Sequence, residues 1–89
     1  MKAIVTVHGV DRVGIIAALG SKLASLNINI NDIRQTTMQE QFNMIMMVDT
    51  EHCTVSFKDI IHQLNELGKE LHLEISIRSK EIFDAMHNI

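Results

Sequence analysis

The chain has no proline, no tryptophan and no tyrosine, only one cysteine, and only 4 glycines and 3 phenylalanines in 89 residues. Without proline, and with so little glycine, it holds no flexible linker and no long irregular segment. A lone Cys53 excludes an internal disulfide and fits a reduced, cytoplasmic setting. No apolar run approaches the about 20 residues that cross a bilayer. The opening Met1–Val7 stretch breaks at His8-Gly9, too short for a secretory leader. There is no run of lysine or arginine and the formal charge is -3. Nucleic acid and anionic membrane are therefore not direct partners, because both need clustered positive charge. Three aromatics are also too few for a sheet that stacks bases. What the chain does have is 46% apolar residues, enough for one core in one domain, residues 1–89. So small a domain buries a modest share of its surface and gains from association.

The apolar period then assigns the elements. Lys2 to His8 alternates as a strand, with Ala3, Val5 and Val7 on one face and Ile4, Thr6 and His8 on the other. From Val13 to Leu26 the period becomes helical, with Ile16, Leu19, Leu23 and Leu26 as the stripe. Gly20 interrupts that helix and suggests a close backbone approach. Asn27 to Met38 alternates again, with a phase break that a bulge near Asn31-Asp32 would absorb. Phe42 to Thr50 is apolar on both faces, which suits a central strand buried on both sides. A second amphipathic helix runs from Thr54 to Leu71, with Ser56 and Asp59 spaced as a helix-start pair. Leu73, Ile75 and Ile77 mark a fourth strand, and Ser79 can cap a short last helix. The order is βαββαβ plus a helical tail, with a core over 1–78 and the tail over 79–89. It implies an α+β sandwich: a four-stranded antiparallel sheet, first and third strands central, with both helices on one face.

The segment Gly9-Val10-Asp11-Arg12-Val13-Gly14 joins the first strand to the first helix. Free amides at a helix start attract a carboxylate, and Gly14 lets a ligand come close. Asp11 can hold an ammonium group, or it can cap the helix. Asn27, Asn29 and Asn31 put three amides on one face of the second strand. They offer both donors and acceptors to a zwitterion, or they form a solvated edge. The glycines at 9, 14 and 20 miss both nucleotide-loop spacings, so no cofactor is expected. His8, His52, His62, His72 and His87 are dispersed, so no metal is expected either. Cys53 has no base assigned to it and is not a nucleophile candidate.

The segment Val7 to Ile16, followed by Leu26-Asn27-Ile28-Asn29-Ile30, resembles the ACT domain signature, and the similarity runs through the whole chain. It is most like the small stand-alone ACT proteins with an apolar tail. The resemblance implies a ferredoxin-like fold. It implies homodimers that extend the sheet or pack helices side by side, with an amino-acid-like ligand at the interface. It places Asp11 at the ligand-contacting loop position, Asn29 at the strand position that reaches across the dimer, and Gly14 at the helix-opening glycine. Gly9 and Val13 depart from the His and Pro of serine-sensing relatives, so serine itself is not implied. The expected function is a non-catalytic regulatory module with a regulated protein as a further partner. Its site would comprise Gly9, Val10, Asp11, Arg12, Val13, Gly14, Asn29 and Asn31. Two alternatives remain: an assembly module without ligand, and an acylphosphatase-like hydrolase using Arg12.

Overall fold

The structure, a computed structural model, describes residues 1–87. The elements are β1 (Lys2–Val10), α1 (Ile15–Ser25), β2 (Asn29–Met38), β3 (Gln41–Asp49), α2 (Phe57–Leu71), β4 (Leu73–Ser79) and α3 (Lys80–Met86). One antiparallel sheet runs in the order β2-β3-β1-β4, so the first and third strands are central. This is the ferredoxin-like sandwich, and the sequence pattern dictates it. Ala3, Val5 and Val7 share a buried cluster with Leu19 and Leu23 of α1, Met44, Met46 and Val48 of β3, and Ile60 and Leu64 of α2. Period two in the strands and a helical stripe in each helix leave a single arrangement in which all of these meet.

The phase break in β2 is a bulge. Ile30 pairs with Val48 and Asp32 with Met47, so Asn31 is the unpaired residue between them. The extra residue returns Ile33 to the helix side, opposite Met46. Ser56 caps α2 by accepting from the Asp59 amide at 3.2 Å, and Ser79 caps α3 by accepting from the Ile82 amide at 3.2 Å. The tail helix turns back against β1 and β4. Residues 88 and 89 of the expected tail lie outside the described residues.

Several expectations are corrected. β1 continues through Val10, two residues past His8, because Gly9 and Val10 pair with Phe42 and Gln41. α2 begins at Phe57 rather than Thr54, because Ser56 terminates the extended segment as its cap. The α1 stripe is Ile15, Leu19, Leu23 and the flanking Leu26, whereas Ile16 is 47% exposed. Gly20 approaches no backbone: a Cβ there would meet no atom within 4 Å. Gly68 of α2 has the close approach instead, since its Cβ would sit 2.6 Å from the Leu73 carbonyl oxygen. β3 is central yet open on one side, with Ile45 46% exposed, because α1 and α2 cover the other face only.

Candidate functional site

The β1–α1 loop is held at the end of the sheet. The Asp11 amide donates to the Glu40 carbonyl at 2.7 Å, which ties the loop to the tight β2–β3 turn. Gln39 and Glu40 make that turn with positive φ of 50° and 69°. Asp11, Arg12, Val13 and Gly14 are all exposed, Val13 completely. Gly14 is the N-cap of α1, at φ 95° and ψ -3°, a left-handed conformation that favours glycine. Ala18 is the first amide bonded within the helix, to the Gly14 carbonyl at 2.9 Å. No side chain caps the amides that precede it. The reading of Asp11 as N-cap is therefore corrected: Gly14 is the cap, two residues (Arg12 and Val13) separate Asp11 from it, and the Asp11 side chain is exposed. The helix start is an uncapped, electropositive end with an exposed acid and an exposed guanidinium beside it.

The asparagines do not form the expected row. Asn27 lies before β2, at φ 59°, where it takes the left-handed turn that ends α1. Its side chain donates to the His52 carbonyl at 2.9 Å. Asn31 occupies the bulge and accepts from Lys2 Nζ at 3.4 Å. Only Asn29 is regularly paired, opposite Asp49. It borders a shallow recess with Asn27, Asp49 and His52. Beside it, Asp49 accepts from the Glu51 amide at 2.9 Å, and this bond holds its carboxyl below the ordinary value of 3.8. The N-terminal ammonium, 3.5 Å away, acts in the same direction.

The two halves of the expected site are therefore apart within one chain. β1 and β2 run the same way, each antiparallel to β3. Val10 and Met38 both pair with Gln41 at one end, while Lys2 and Asn29 both pair with Asp49 at the other. The two ends are the first and last of nine strand residues, Gln41 and Asp49, roughly 27 Å apart at about 3.4 Å per residue. The structure brings Gly9 to Gly14 together and keeps Asn29 and Asn31 away from them.

Two features escaped the sequence reading. A broad depression lies at the opposite edge, between the end of α2 and β4, and includes His62, Glu66, His72 and Glu74 with Gly9 and Val10. It wraps around the β4 edge rather than converging on a point, because its charged groups sit on both sides of that strand. The other feature is an apolar rim at the α1/β2 edge. Val13, Ile16 and Ile33 are exposed there, beside a β2 strand that is exposed along nearly all its length. An exposed β2 was legible as polar alternation, and its edge position followed from the expected central place of the first and third strands; the exposure of Val13, Ile16 and Ile33 was not legible.

Comparison with known proteins settles the family. The ACT domain pattern matches residues 2–78. The chain belongs to the ACT domain family. It is 49% identical to a UPF0237 protein of Clostridium acetobutylicum, over the full length of both chains. A solved ACT domain protein from Streptococcus pneumoniae superposes with a TM-score of 0.82, at 38% identity over 94% of each chain. A structure described as a glycine cleavage system transcriptional repressor superposes with a TM-score of 0.71, at 22% identity over 86% of this chain and 44% of that one. The last likeness is one of fold. ACT domains are regulatory modules that bind small molecules, and this ACT domain presents its loop and its uncapped helix start fully to solvent.

Proposed function

We propose that this ACT domain is a non-catalytic regulatory module that binds an amino acid or a similar zwitterion between two subunits. The observation that carries this reading is the separation of the loop from Asn29 along the sheet. Antiparallel pairing of β2 with the β2 of a second copy would reverse the partner strand. The partner's start of β2, with its Asn29 and Asn31, would then lie near the loop of the first subunit. The ligand carboxylate would meet the uncapped amides of α1 at Gly14, and its ammonium would meet Asp11. Gly9, Val10, Arg12 and Val13 would frame it. A ligand shared in this way favours the paired state and gives a signal for a regulated protein to read.

Calorimetric titration with the twenty amino acids tests the reading on wild type and on Asp11→Ala. At least one amino acid should bind, and Asp11→Ala should weaken it by about tenfold or more, the loss of one charge-assisted hydrogen bond. No binding by any of the twenty would sink it. A second reading, assembly without ligand, is favoured by the exposed Val13, Ile16 and Ile33 beside the bare β2 edge. It expects a dimer whose mass is indifferent to every amino acid.

A further inference from the structure

The sheet face away from α1 and α2 is covered unequally. α3 packs against β1 and β4. On that half Ile4 is buried, although it lies outside the core shared with the two long helices. On the β2/β3 half Ile45 stands exposed. The strand registers put Arg34, Ile45 and Thr6 in one row and Thr36, Asn43 and His8 in the next. These six residues border an open basin of about 410 Å³, within the size range of small-ligand pockets. Three strands about 4.8 Å apart and two rows about 7 Å apart make a floor of roughly 10 by 7 Å. Such a floor holds one six-membered ring with a short arm, and not a long chain or a peptide.

The chemistry of the lining is one-sided. Ile45 supplies branched carbon at the middle strand. Thr6 engages its hydroxyl with Ser76 of β4, which leaves its methyl group to the basin. His8 Nδ1 and Asn43 Oδ1 lie 2.7 Å apart, so these two polar groups satisfy each other. Among the described residues, the lining has one guanidinium, that of Arg34, and no carboxylate. Asp32 and Glu74 sit outside it, one row along β2 and one strand over on β4. Asp32 lies 3.8 Å from Arg34 Nε with both side chains exposed, so water weakens their attraction. That contact is made through Nε, and the two terminal nitrogens of Arg34 remain to grip a carboxylate. The Thr36 hydroxyl, two residues along the same face, is a further donor.

We infer that this basin is a second ligand site, distinct from the β1–α1 loop, and that it takes a small monocarboxylate with a compact apolar body and no amino group. The carboxylate sits on Arg34 and the body lies over Ile45. An ammonium group would find no acid in the lining and would lose its water without a new partner. The loop offers the reverse, since Asp11 stands there beside the uncapped amides of α1. An amino acid and the acid that lacks its amino group are thereby sorted to different places on one small domain. Because the basin is open on one side, its affinity is in roughly the millimolar range.

Amide NMR of the full chain tests the site. The probe is phenylacetate, with phenylacetamide as its uncharged counterpart and L-phenylglycine as its amino counterpart. Phenylacetate should shift the signals of Thr6, Arg34 and Ile45 in a saturable way and leave those of Gly14 and Asn29 in place. The other two compounds should each bind the basin at least about fivefold more weakly. Arg34→Gln should weaken phenylacetate by about fivefold or more, Arg34→Lys by less, and Ile45→Asp should abolish its binding. Both positions are exposed, and circular dichroism checks that each variant is folded. No saturable shift at Ile45 by about 20 mM phenylacetate, equal binding of the acid and its amide, or an unchanged affinity in Arg34→Gln would overturn the inference. Shifts confined to Asp11, Gly14 and Asn29 would overturn it while supporting the loop reading. Shifts at Ile45 with phenylacetate, and none at Gly14 with any amino acid, would support this site and count against the loop.

Discussion

The two long helices of this small domain are built to opposite specifications. α2 starts on Ser56, whose hydroxyl caps the first turn, and presses Gly68 against the backbone of β4. α1 starts on a left-handed Gly14 with no side-chain cap, and a Cβ at its Gly20 would meet open space. Both bury leucines completely in the shared core, Leu64 from α2 and Leu23 from α1. The difference lies at the ends and on the outer sides. α2 satisfies its own termini and fits its own sheet. α1 leaves donors, a slim outer face and the exposed Ile16 for something outside the chain. A helix that is incomplete within its own fold marks where a fold expects company.

That contrast can be broken at several points. Leu64→Ala should cost the most, about 3 kcal/mol, because a fully buried side chain is lost and a cavity is left; urea unfolding measures it. The two glycines should then diverge in sign. Gly68→Ala should destabilise by about 1–3 kcal/mol, since the Leu73 carbonyl must move. Gly20→Ala should raise the stability of the isolated subunit by about 0.5–1 kcal/mol, because helix propensity improves without a clash. If both alanines act alike in thermal unfolding, the division of labour between the helices is wrong. Capping gives a smaller contrast: Ser56→Ala should cost about 1 kcal/mol, and Asp11→Ala should leave the melting temperature nearly unchanged. The smallest effect concerns Asp49. Its carboxyl titrates below 3.8 in the folded chain, so its contribution is present above that value and fades as pH falls through the lowered one. Asp49→Asn should slightly lower the melting temperature above that value and converge on wild type as pH falls through the acidic range.

The fold was readable because its pattern is redundant. Ala3, Val5 and Val7 repeat with period two, Leu19 and Leu23 with helical spacing, and the phase slip at Asn31 required a bulge that the structure contains. Errors arose wherever a local rule could be met in two ways. Ile15 and Ile16 are adjacent, and only packing shows which one enters the core. Asp11 has a capping side chain, but strand pairing through Val10 and the bond to Glu40 hold it too far from the helix. Gly20 and Gly68 look equivalent as letters and differ only in what lies beside them. The candidate site was half legible: the loop is a contiguous motif, but its distance from Asn29 is a property of the sheet.

The sequence by itself determined the class of fold, the core face of β1 and β4, and a glycine-flanked loop carrying Asp11 and Arg12, because each of these follows from side-chain period and local chemistry. Only the tertiary structure decided which helix end is uncapped, and that Asp11 and Asn29 lie at opposite ends of one sheet. The reason is that strand order and register fix long-range positions. Residues distant along the chain become neighbours, or stay apart, only through the pairing of whole strands.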